Sequence, residues 1–149
     1  MRLIRLLSIL IATIIFSSII FLFFLKTPTP RVLINGKSFN AEIVKSSKDQ
    51  AIGLAKYKKI SKDFGMLFIF DNKGYYGFWM KNMKFPIDII FISDNKITTI
   101  FKNVDYPKNG NSNLQGYKPD VPSDMVFEVN AGISNKYNFQ KGDSVKINY

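Results

Sequence analysis

Residues 87–104 read Ile87-Asp88-Ile89-Ile90-Phe91-Ile92-Ser93-Asp94-Asn95-Lys96-Ile97-Thr98-Thr99-Ile100-Phe101-Lys102-Asn103-Val104. Two runs rich in β-branched and aromatic residues flank an Asp-Asn-Lys turn, so the segment predicts two neighbouring strands joined by a hairpin. The same grammar recurs on both sides. Residues 31–34 and 38–45 flank Asn35-Gly36, a pair that supplies the positive φ angles of a tight turn. Residues 66–70, 75–80, 125–130 and 144–148 add further short runs, giving about eight strands. One helix is expected at residues 47–55, where Ser47 and Gln50 form a capping-box pattern. The fold class is therefore all-β, mainly strand with one short helix, closed as a compact sandwich or barrel. Residues 104–124, with the Asn- and Ser-rich 109–113 and with Pro119 and Pro122, form a long polar loop.

Ahead of this domain lies a run of 20 uncharged residues, 6–25. At about 1.5 Å per helical residue it reaches roughly 30 Å, the thickness of a bilayer core. The run exceeds the apolar region of about 7–15 residues typical of a cleaved signal sequence and lacks its small-residue cleavage site, which favours an anchor. Residues 1–26 are thus read as a membrane anchor or signal sequence, 27–30 as a Pro-rich linker and 31–149 as the β domain. Arg2 and Arg5 before the run, against Lys26 and Arg31 after it, lean toward a cytoplasmic N-terminus. The expected placement is a single pass through the cytoplasmic membrane with the domain extracytoplasmic, periplasmic in a Gram-negative cell.

The composition narrows the chemistry. In 149 residues there is no Cys and no His, which excludes disulfides, thiolate nucleophiles, Cys or His metal sites and Ser-His-Asp triads. Twenty-one Lys and Arg against 11 Asp and Glu leave a net charge of +10. That excess suits anionic headgroups or an envelope polymer, and scattered lysines equally suit a solvated surface. No nucleic-acid motif is present, and nucleic acid is not an expected partner. Asp105, Asn109, Asn111 and Asn113 offer oxygen donors without the spacing of a calcium loop, so neither metal nor cofactor is expected.

Asp88 and Glu128 stand out as carboxylates inside apolar strand runs, where an unpaired charge is costly. Gathered with Lys81 and Asn82, and with Trp79 as an aromatic platform, they make one candidate ligand-binding site. No catalytic residue is assigned. The primary expectation is a binding or accessory module for a small polar ligand or an envelope component. An enzyme using Asp88, Glu128 and Lys81, or a structural partner of another envelope protein, are the alternatives. Structural use of the carboxylates, with Asp88 capping the turn that contains Pro86 and Glu128 pairing with a surface Lys, competes with all of these.

Several blocks in order, Gly53-Leu54, residues 65–70, Phe78-Trp79-Met80-Lys81-Asn82, residues 86–91, Phe127-Glu128-Val129-Asn130-Ala131-Gly132 and Gly142-Asp143-Ser144-Val145, resemble the DUF192 (UPF0127) family of small bacterial and archaeal proteins. The resemblance implies a jelly-roll-like, mainly β domain, often exported or membrane-anchored, and carries no established activity. Met83 stands where the family usually has Thr, and Ala55 and Tyr57 where it often has Met and Arg.

Overall fold

Asn35 and Gly36 turn the chain with φ of 48° and 76°, and the hairpin expected there forms between β1 (Arg31–Ile34) and β2 (Lys37–Val44). The computed structural model describes residue 5 and residues 10–18, 29–108 and 114–149. Asp94 and Asn95, at φ of 51° and 58°, make the second tight hairpin between β4 (Ile87–Ser93) and β5 (Lys96–Val104). The remaining strands are β3 (Phe64–Gly74), β6 (Ser123–Asn130) and β7 (Val145–Asn148).

All seven form one sheet in the order β5-β4-β6-β3-β2-β1-β7. Pairing is antiparallel except between β2 and β3, which run parallel. A parallel pair needs a crossover, and here it carries α1 (Ser47–Ile52) and the 3-10 turn Gly53–Lys56. The helix starts one residue earlier than the capping box suggests. Ser46 is the cap: its hydroxyl accepts from the Asp49 amide at 3.1 Å, while the Gln50 amide instead donates to the Ile69 carbonyl at 2.9 Å and pins the helix to β3.

The sheet curls into a half-barrel. Val32, Phe39 and Val145 from one side pack with Ile90, Ile92 and Ile97 from the other in a single cluster, which demands that the sheet close toward that face. At one end the edges meet through an antiparallel bridge between Lys96 and Ser144, with Val145 N donating to Asn95 O at 2.8 Å. The two-sheet sandwich expected as one option is therefore not formed.

The outer face carries a second core of Val44, Met66, Phe68, Ile89, Phe91 and Val126, covered by Leu54 of the 3-10 turn and by Met80 and Met83. Because both faces are covered, every residue of β4 is buried. Residues 75–80, expected as a strand, form no ladder. They belong to a loop laid over this outer core, held by a single bridge between Phe78 and Tyr117. Phe78 meets Phe68 edge-on at 4.9 Å, and Phe70 stacks on Tyr76 at 3.7 Å. The aromatic content that suggests a strand here serves side-on packing instead. A short α2 (Ile133–Lys136), not anticipated from the sequence, follows Gly132 at φ 85°.

The expected membrane span lies largely outside the described residues. Within it, residues 10–18 are helical, with Leu10, Ile14 and Phe16 exposed. Among the described residues no helix is long and apolar enough to cross a membrane. Residues 27–28 of the linker and 109–113 of the polar loop also lie outside them.

Candidate functional site

Register decides which charges meet. Asp88 pairs with Val129, and Ile89 pairs with Glu128. Paired residues share a face and neighbours alternate, so Asp88 points into the inner core and Glu128 into the outer one. The two carboxylates expected in one pocket lie on opposite sides of the sheet.

Asp88 is fully buried and fully occupied. Its Oδ1 accepts from Asn103 N at 2.7 Å and Gly132 N at 3.1 Å, and its Oδ2 from Ser134 N at 2.7 Å. Three backbone donors replace lost hydration and allow a carboxylate in the core. The side chain ties β4 to the irregular end of β5, where the β4–β5 register shifts, and to the start of α2. The Asn130-Ala131-Gly132 segment is thus held to Asp88 and to Pro86, whose carbonyl accepts from Ala131 N at 3.2 Å.

Glu128 is 5% exposed, and its side chain has no hydrogen-bond or ion-pair partner among the described residues. Burial alone pushes its pKa up to about 8. The carboxyl lies at one wall of a cleft of about 190 Å³ between α1 with its 3-10 turn and the 75–86 loop. Gly53, at φ 53°, passes closely enough that a Cβ there would stand 3.3 Å from the Phe68 ring and 4.0 Å from Glu128 Oε2. Only glycine supplies both that backbone conformation and that clearance. Lys84 Nζ donates to Ala55 O at 2.9 Å and ties the loop to the 3-10 turn.

Trp79 and Lys81 line the same cleft, with Trp79 57% exposed and the Lys81 ammonium 5.9 Å from its ring centroid. The structure therefore brings together Glu128, Lys81 and Trp79, and leaves Asp88 apart. Asn82 takes the left-handed position (φ 59°) of the turn in which Met83 N donates to Met80 O at 3.2 Å, and does not line the cleft.

Glu42 follows from register rather than from any motif. Glu42, Met66, Glu128 and Ile89 form one row across β2, β3, β6 and β4. Partial burial pulls the Glu42 carboxyl up, but hydrogen bonds from Lys56 and Tyr57 and the Lys56 charge outweigh it, so its pKa is lowered. The two glutamates of one row thus have opposite environments: one is paired at the surface, the other is unpaired in the cleft.

The DUF192 family model, described as "Uncharacterized ACR", matches residues 31–147. No curated protein matches the chain. The fold is similar to the crystal structure of a protein of unknown function from Novosphingobium aromaticivorans DSM 12444, with 26% identity, 78% of this chain and 83% of that chain covered, and a TM-score of 0.71. It is also similar to a structure from Sinorhizobium meliloti 1021 described as a "putative transcription regulator", with 26% identity, 78% and 90% coverage, and a TM-score of 0.67.

Proposed function

We propose, for a chain that belongs to the DUF192 family, that the domain is a binding module whose small ligand seats in the cleft beside Glu128, with Trp79 and Lys81 at its mouth. One observation carries this reading: a buried carboxyl left without a partner and open to a cleft. Such a group costs folding free energy, and proteins retain that cost where a ligand or a reaction needs it. The walls are largely apolar, with the rings of Phe68, Phe70, Tyr76, Phe78 and Trp79 among them, and the polar groups are few, the usual make-up of a small-molecule site. Asp88 is reserved for holding backbone together and has no part in binding.

The second element of the proposal is location. Residues 6–25 anchor the domain to the cytoplasmic membrane, with the cleft on the extracytoplasmic side. The length and apolarity of the run support this.

Ala51 is exposed on α1 and borders the cleft, so Ala51→Trp closes the mouth without disturbing the sheet. Compounds that raise the melting temperature of the parent chain should lose that effect in the variant. Stabilisation unchanged by Ala51→Trp places the binding elsewhere and defeats the proposal. For location, a C-terminal alkaline phosphatase fusion should be active and a cytoplasm-dependent fluorescent fusion dark. The reverse pattern removes the extracytoplasmic assignment.

A further inference from the structure

We propose that the ligand of the Glu128 cleft carries an ammonium group on a short apolar body, the ammonium seated on the Glu128 carboxylate and the body among the rings of Phe68, Phe78 and Trp79. This inference rests on the cleft being a ligand seat and specifies its occupant.

The cleft contains one strongly polar group that nothing in the fold satisfies. Gln50, another polar wall residue, is already spent on the carbonyl of Ile69. Tyr76 is spent as well, its hydroxyl donating to Asn72 O at 2.7 Å. An occupant rich in hydroxyls, such as a sugar, would leave most of its donors unmatched against aromatic walls. A metal ion is no better served. Among the described residues no cluster of three acidic groups exists, and a divalent hard cation takes six to eight oxygen ligands. An organic ammonium needs one counter-charge and apolar surroundings, and the negative faces of aromatic rings attract it further. Lys81 illustrates the same chemistry at the rim, its ammonium 5.9 Å from the centroid of the Trp79 ring. The volume of about 190 Å³ admits an occupant of a few heavy atoms.

Seating has a defined proton balance. Glu128 holds a proton in the empty cleft at neutral pH, and the arriving ammonium keeps its own, so the carboxyl proton leaves to solvent as the ion pair forms. No covalent bond is made or broken.

The experiment uses the full-length chain, kept in solution with mild detergent, and three probes of matched size: butylammonium, butanol and butyrate. Binding is read from titration calorimetry in buffers of different ionisation enthalpy, and in the parent and Glu128→Gln, where Trp79 is the single tryptophan, also from its fluorescence; Ala51→Trp adds a second indole and is followed by calorimetry alone. Butylammonium should bind at least about tenfold more tightly than either other probe, and release close to one proton per site at pH 7. Glu128→Gln, which keeps shape and removes the charge, should abolish both the preference and the proton release. Equal binding of all three probes, all lost in Ala51→Trp, would overturn the ammonium assignment while leaving the cleft as a seat. Binding of none, or binding indifferent to Ala51→Trp, would overturn both. Preference for butylammonium that survives Glu128→Gln would also defeat the assignment.

Discussion

Asp88 and Glu128 sit on adjacent strands one register step apart, yet one points into the inner core and the other into the outer. Both are buried carboxyls, and their surroundings give them different tasks. Three amides hold Asp88, whereas Glu128 is held by none among the described residues. No direct proton transfer between them is available across the sheet.

Asp88→Asn should destabilise the domain by about 2–3 kcal/mol. The substituted amide has one acceptor oxygen where three backbone donors converge, so at least one buried N–H loses its partner. The shift in urea midpoint measures it, and an unchanged midpoint would show that the three bonds contribute nothing net.

Glu128 sets a pH dependence of the opposite sign from a paired carboxylate. Its pKa is raised from 4.5 to about 8 on folding, so the folded state binds more protons than the unfolded state in that interval. The stabilisation is complete below pH 4.5 and is lost as pH rises through 8. Lys81 and Tyr76 are the titratable side chains sharing the cleft, and neither enters among the causes of the shift. Stability should therefore fall by a few kcal/mol between pH 5 and 8.5, and Glu128→Gln should flatten that slope. Denaturant titrations at the two pH values, with the Gln variant beside the parent, decide it.

Gly65→Ala should cost about 3 kcal/mol or more. A Cβ there would stand 2.5 Å from the Phe127 ring and 2.6 Å from the Glu128 carbonyl oxygen, and both are fixed in the sheet. Gly116→Ala, with nothing within 4 Å of its added carbon, should stay within about 0.5 kcal/mol. Comparing the two melting curves separates steric conflict from a general intolerance of alanine.

Phe78 and Trp79 are neighbours with opposite orientations. Phe78 packs against the rings of Phe68, Phe70 and Phe91, and Trp79 faces solvent. Phe78→Ala should cost about 2–4 kcal/mol and Trp79→Ala less than about 1 kcal/mol. Equal losses in thermal unfolding would mean that the loop is held as a unit.

The sequence makes legible what is local. Asn35-Gly36 and Asp94-Asn95 mark their hairpins because few residues tolerate positive φ, and alternation within 87–93 and 125–130 correctly separates the two faces of each strand. What it conceals is relative. The parity of Asp88 and of Glu128 is visible, but whether those parities coincide depends on pairing Ile89 with Glu128, which no local signal sets. Residues 75–80 mislead for another reason: their aromatic residues find partners across an outer face that exists only after β3, β4 and β6 have assembled. Ser46 and Ser47 both suit a cap, and the choice falls to Ser46 once Gln50 is drawn to Ile69.

The crossover between β2 and β3 both satisfies topology and supplies one wall of the cleft, opposite the 75–86 loop. Pairing in the sheet constrains its endpoints, Val44 and Phe64, and Gln50, Gly53 and Leu54 are held against the sheet, but exposed positions such as Ala51 and Ile52 at the cleft wall are free to change chemistry. The chemistry of the cleft wall can thus be rewritten at a few exposed positions of a surface excursion, while the curled scaffold beneath, and the buried glutamate it presents, stay as they are.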